Sequence, residues 1–266
     1  METIPPEFLD HAGVPLAYRR TSASPAHADP HHASVVWLGG FHSDMLGEKA
    51  SLLHHAVAAT GRGFVRFDYL GHGESGGSFA NGTIGRWRAD ALAIIDQLTT
   101  GPLVLVGSSM GGWMSLLCAL ARPERVKALV LLAPAPDFTD KLMWASFDES
   151  QKSRIMNEGF WTRPSPYDPA GYPITRELIE EGRTWNILDD QIPLDIPVRI
   201  LHGGLDADVP WTHSLDLADK LRSPDVAWTL IKDGDHRLSR TQDIQRMIAT
   251  VLATVEQVET LSRAHE

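Results

Sequence analysis

Six short runs along the chain are almost wholly aliphatic or β-branched and end in turn-forming residues. They are 35–38 (VVWL), 64–69 (FVRFDY), 103–107 (LVLVG), 127–132 (KALVLL), 198–202 (VRILH) and 226–231 (VAWTLI). Near-continuous hydrophobicity of this kind fits parallel strands covered on both faces. Between the runs, residues 45–60, 83–98, 111–121, 212–222 and 239–258 carry apolar residues at helical spacing. Strands that alternate with helices predict an α/β fold: a mostly parallel central sheet with helices on both faces. The opening EFLDHAGVPLAYRRT reads as a strand pair at one sheet edge, with Gly13 in its turn. The tract 21–34, TSASPAHADPHHAS, reads as a polar loop, and His31 and His32 as part of it rather than as a metal site.

The alternation stops at 136–195. This segment shows no strand-like run, yet it holds Trp144, Phe147, Phe160, Trp161, Tyr167, Tyr172 and Trp185. Prolines at 164, 166, 169 and 173 separate a helix-like stretch from a second one, ITRELIEEGRTWNILD. The expectation is a helical lid over 136–195, inserted in a core formed by 1–135 and 196–266. Most of these aromatics would pack the insertion onto the core, and two or three would face a cavity. Trp161, with Trp113 from the core, is a candidate substrate contact.

Composition narrows the field. A chain of 266 residues is long enough for one large domain with a sizeable core. The formal net charge of −10 argues against nucleic acid or an anionic membrane as the main partner. Cys118 is the single cysteine, so no internal disulfide forms, and its apolar helical setting makes it a packing thiol. No stretch reaches the roughly 18 consecutive apolar residues of a membrane span. The N-terminus, METIPPEFLDHAG, has neither the basic and apolar regions of a signal peptide nor an Arg-rich transit pattern, so the expected address is cytoplasmic. The sequence is silent on oligomeric state.

Candidate chemistry begins at residues 107–111, GSSMG, which fit G-x-S-x-G with a strand before and a helix after. Only small residues fit the flanks of so tight a turn, and Gly107 and Gly111 meet that need. Ser109 would stand at the helix N-terminus, where the macrodipole and free N–H groups favour developing negative charge. A serine nucleophile needs a base, and the base an orienting acid. The stretch HGGLDADVP follows the strand at 198–202, and KDGDHRLS follows the strand at 226–231. Both lie at the carboxyl edge of the sheet, where open α/β sheets hold ligands. Asp206 and His236 are the candidates, in the order Ser…Asp…His. Asp206 is favoured over Asp208 because Asp208 adjoins Val209-Pro210, which leads into the next helix. Asp208 is expected to support the loop or cap that helix. His202 is expected to make a structural hydrogen bond, and His72 to order its own loop. The oxyanion donors would be the N–H of Met110 and that of Phe41, whose loop is made approachable by Gly39 and Gly40.

The stretches RFDYLGHGES, TIGRWRADALAIIDQL, LVGSSMGGWMSL, ARPERVKALV, ILHGGLDADVPW and DGDHR resemble the α/β-hydrolase superfamily. In particular they resemble its branch of palmitoyl-protein thioesterases and acyl-glucuronide esterases, with bacterial relatives. The likeness runs from about residue 36 to about 250 and includes GFWTRPSPY. It implies Ser109 as nucleophile, Asp206 as acid and His236 as base, acting on an ester or thioester of a small molecule or acylated protein. No metal or organic cofactor is implied. One departure is Gly39-Gly40, where many members carry His-Gly. A glucuronide ester would ask for cationic contacts such as Arg163 and Arg183. A carbon–carbon bond hydrolase, a lactonase, a perhydrolase and a non-catalytic receptor stay open as alternatives on the same frame.

Overall fold

The structure is a computed structural model that describes residues 4–27, 31–164 and 171–264. Ten strands occur among these residues. They are β1 (Glu7–His11), β2 (Val14–Thr21), β3 (Ser34–Leu38), β4 (Phe64–Phe67), β5 (Leu103–Ser108), β6 (Val126–Leu132), β7 (Phe160–Arg163), β8 (Tyr172–Thr175), β9 (Val198–Gly203) and β10 (Val226–Ile231). The main sheet has eight strands in the order β1-β2-β4-β3-β5-β6-β9-β10. Every pairing from β4 to β10 is parallel, and β1 and β2 add an antiparallel edge. Gly13 turns that edge hairpin with φ 76°, a value that costs a glycine little.

The aliphatic runs work as strands because alternate residues feed two separate cores. In β5, Leu103 and Leu105 enter one cluster, and Val104 and Val106 the other. The first face is covered by α2 (Ile84–Leu98), α3 (Met110–Ala121) and α6 (Trp211–Lys220), the second by α1 (Glu48–Ala59) and α7 (Thr241–Ala264). Helix α3 is apolar almost all round, as a helix wedged between layers must be. Cys118 lies buried within it, and burial pushes its thiol up to about 12, which leaves it an inert packing group. The edge strand β10 departs from the expected two-sided burial, because among the described residues no strand pairs beyond it, and three of its six residues are exposed.

The chain between β6 and β9 holds a π-helical turn at Thr139–Trp144, α4 (Glu149–Glu158), the pair β7–β8 and α5 (Arg176–Arg183). The antiparallel pair β7–β8 corrects the expectation of no strand in this segment. Each strand is four residues long, and Pro173 stands inside β8, so neither leaves a readable alternation. Tyr167, Pro166 and Pro169 lie outside the described residues. Asp137 fastens the segment to itself by accepting the Ile187 and Leu188 amides at 2.9 and 3.0 Å. Glu181 of α5 docks it on α2 by accepting the Gly85 amide at 3.0 Å.

Candidate active site

The site is assembled where β5, β9 and β10 end. Ser109 follows β5 in a left-handed conformation, φ 55° and ψ −117°, which costs a non-glycine residue of order 1–3 kcal/mol. Its neighbours hold it there. The Ser109 amide donates to the Leu132 carbonyl at 2.9 Å, and the Ser109 carbonyl accepts from Gly112 at 2.9 Å and Ala135 at 3.1 Å. A Cβ on Gly111 would fall inside contact distance of the Leu38 carbonyl oxygen, and one on Gly107 would strike the Gly111 carbonyl. Ser109 is half-buried, while Ser108 is only 9% exposed.

The loops after β9 and β10 are laced together by Gly204 N–H to Ile231 O at 2.7 Å and Leu205 N–H to Gly234 O at 2.8 Å. That lacing brings Asp206 to His236. His236 Nδ1 donates to Asp206 Oδ2 at 2.7 Å, and Ser109 Oγ donates to His236 Nε2 at 3.1 Å. Asp206 has no exposed side-chain surface, and all its lone pairs are used. Oδ1 accepts the amides of Asp208 at 2.9 Å and Val209 at 2.8 Å, and Oδ2 lies 3.1 Å from His202 Nε2. Burial would raise this carboxyl. The hydrogen bonds from His202 and His236, the charge on His236 and the Val209 amide outweigh burial and hold it far below the usual carboxylate range. The buried His202 also reaches the Val209 carbonyl at 3.0 Å. Its contact with Asp206 went unread in the sequence, although His202 and Asp206 are four residues apart. Asp208 is exposed and contributes its amide rather than a cap, because α6 starts after Pro210 with no side-chain cap.

Gly40 brings the β3 loop against the elbow: a Cβ there would lie 3.3 Å from Ser108 O and 3.4 Å from Ser109 Cβ. Among the described residues, neither the Phe41 nor the Met110 amide has a hydrogen-bond acceptor. The next amide, that of His42, donates to His72 Nε2 at 3.1 Å, and His72 Nδ1 donates to the Leu70 carbonyl at 3.1 Å. Burial pushes His72 down to about 4, so it stays neutral and accepting. It therefore orders the Phe41 loop as well as its own, a link that no local pattern announces.

The Phe41 ring is surrounded. Edge-to-face contacts join it to Phe79 (5.1 Å), Trp87 (5.7 Å), Phe138 (5.3 Å) and Tyr172 of β8 (5.7 Å), and His42 stacks on Tyr172 at 4.6 Å. Trp161 is half-buried against Phe147 at 5.3 Å, and Trp113 is fully buried against Phe138. Arg183 is engaged by Asp140 at 2.8 Å and lies over Trp144. His31 and His32 reach Ser262 and Arg263 of α7. Oxygen and nitrogen atoms of Asp206, Asp208 and His236 lie within 4.8 Å of one another, but Asp206 and His236 already satisfy each other in that group.

A parallel sheet with a strained serine turn at its carboxyl edge, facing a histidine–carboxylate pair from two later strand ends, defines the α/β-hydrolase class. The family described as serine aminopeptidase, S33, matches residues 29–159. The mouse protein described as palmitoyl-protein thioesterase ABHD10, mitochondrial, is 40% identical over 96% of this chain and 84% of its own length. A putative hydrolase from Agrobacterium vitis superposes with a TM-score of 0.87 at 38% identity, covering 94% of this chain and 99% of that one. The structure of mouse α/β-hydrolase domain-containing protein 10 superposes at 0.84 with 37% identity, covering 96% and 99%. The chain belongs to the α/β-hydrolase family of these relatives, and it is a hydrolase. Among the described residues, no helix is long and apolar enough to cross a membrane.

Proposed function

We propose that this hydrolase cleaves carboxylic esters or thioesters by acyl transfer through Ser109, His236 and Asp206. The observation that carries the proposal is the continuous relay Ser109–His236–Asp206, at 3.1 and 2.7 Å, beside two amides with free N–H groups. Ser109 Oγ attacks the carbonyl carbon while His236 Nε2 takes its proton. Asp206 keeps the other imidazole proton on Nδ1 and stabilises the imidazolium. The Phe41 and Met110 amides receive the oxyanion. Collapse of the tetrahedral species transfers the proton from His236 to the leaving alkoxide or thiolate. Water, deprotonated by the same imidazole, then releases the acid and restores Ser109.

The segment 136–195 serves as a lid over this centre in the proposal, with Trp161 and Tyr172 on its inner side. Trp113 supports the wall from behind. The thioesterase relatives and the aromatic surroundings favour a long apolar acyl group, carried by a small molecule or a protein.

A fluorophosphonate probe tests the assignment. Wild type should be labelled once, and Ser109→Ala should lose both labelling and hydrolysis, leaving a residual of order 10³–10⁴ over water. Ser108→Ala should still be labelled and should hydrolyse far faster than Ser109→Ala, with a loss of at most about 100-fold. Absence of labelling in folded wild type would favour a receptor. Equal loss in the two variants would move the nucleophile off Ser109.

A further inference from the structure

Helix α1 starts beside the site, and Lys49 in its first turn points inward. Its ammonium donates to the Ser108 hydroxyl at 3.2 Å and to the main-chain carbonyl of Arg237. Ser108 immediately precedes the serine of the relay, and Arg237 immediately follows its histidine. One donor group therefore joins three segments that meet nowhere else in sequence. An ammonium suits this task because it is compact and offers three donors.

We propose that Lys49 is a positioning residue that clips the His236 loop to the Ser109 turn and so keeps the imidazole in line with the serine hydroxyl. This inference rests on the triad reading above. The Ser109–His236 bond at 3.1 Å is longer than the His236–Asp206 bond at 2.7 Å. The loop that carries His236 includes Leu238 at φ 46°, a backbone conformation that costs a non-glycine residue free energy. A displacement of about 1 Å at such a joint costs roughly 10²-fold in rate.

The charges facing Lys49 are Asp235 and Arg237 of the same loop, Asp206 after β9 and Asp243 of α7. Burial pushes the ammonium down to about 8, with Arg237 adding to the effect and the three carboxylates opposing it. The clip is thus charged at neutral pH and loses its charge in mildly alkaline solution.

The test is kcat and KM for a nitrophenyl ester from pH 6 to 10, on wild type, Lys49→Met and Lys49→Arg, with thermal melts and fluorophosphonate labelling rates. Lys49→Met should lower kcat at pH 7 by about 10- to 100-fold, with KM within about twofold and labelling slowed in parallel. Wild type should lose kcat above pH 8. Lys49→Arg should recover much of the pH 7 rate and move that alkaline limb above pH 10, because a guanidinium does not discharge there. Lys49→Met within twofold of wild type, a loss confined to KM, or one alkaline limb shared by all three proteins would overturn the proposal. If Lys49→Met does not fold, the wild-type and Lys49→Arg profiles decide alone. Normal hydrolysis by Ser109→Ala would instead overturn the triad reading, and the clip with it.

Discussion

Replacing Asp206 by asparagine changes one oxygen to an NH₂ group, and the surroundings dictate which way the amide must turn. Oδ1 accepts two main-chain amides, at 2.9 and 2.8 Å, that shape the loop from Asp206 to Val209. Those amides can only donate, so the asparagine oxygen must face them and its NH₂ must face His236. The imidazole then presents an unprotonated Nδ1 to the NH₂ and carries its proton on Nε2. That tautomer points a donor at Ser109 and cannot accept its proton. Loss of the correct tautomer in a serine triad costs about 10⁴ in kcat, close to 5.5 kcal/mol of barrier. His202 adds a second conflict, because its Nε2 donor lies 3.1 Å from the same oxygen. Asp208→Asn keeps the main-chain amide that Asp206 uses and removes only an exposed charge, so kcat should stay within about threefold, an allowance of under 1 kcal/mol. Steady-state hydrolysis of a nitrophenyl ester, with circular dichroism to confirm folding, separates the two variants. A larger kcat loss in Asp208→Asn than in Asp206→Asn would refute the assignment of the acid.

Acyl length gives a further measurement. From acetyl upward, kcat/KM should rise about fourfold per methylene, ~0.8 kcal/mol each, until the cavity is filled; a profile that peaks at acetate would refute the apolar acyl site. Burial, with Arg66 and His55 nearby, pushes the fully buried His54 down to about 4. Between about pH 6.5 and 4 the unfolded chain therefore binds a proton that native His54 does not, and wild type loses stability as pH falls through that window. The stability lead of wild type over His54→Gln should shrink between pH 7 and pH 5 by about 1–2 kcal/mol, read from urea midpoints; a lead that grows would reverse the sign. Gly111→Ala drives a Cβ into the Leu38 carbonyl and should cost at least about 1–3 kcal/mol, and a urea midpoint unchanged from wild type would show that the elbow can yield.

The main sheet was legible because its inner strands are buried on both sides and so appear as unbroken aliphatic runs. The run at 226–231 coincides with β10, and the one at 103–107 ends one residue short of β5. Ser109 was legible because its turn accepts only glycine at fixed offsets. Asp206 and His236 followed because each sits a few residues past a strand end. The pair β7–β8 stayed hidden: each strand has only four residues, too few for an alternation to stand out, and β8 carries Pro173 and does not alternate. Helix α7 runs on to Ala264, past the expected end at 258, since its last turns have no breaking residue. Of the two roles expected for Asp208, loop support and a cap on α6, the structure shows its amide bonded within the loop and no side-chain cap, because Pro210 already fixes the entry to that helix. Lys49 carries no sequence signal at all, since its partners lie 59 and 188 residues away. Such contacts exist only once the sheet has closed.

The ring cluster around Phe41 makes the segment between β6 and β9 a poor candidate for exchange. Tyr172 comes from that segment, yet it packs on the Phe41 and His42 rings of the loop whose Gly40 lies against the serine turn. A chimera that received the corresponding segment of a distant hydrolase, with its own sheet untouched, would lose one side of the Phe41 packing. Transplanting the specificity of such a donor therefore means moving residues 39–42 together with 136–195, because the inherited unit is the pair.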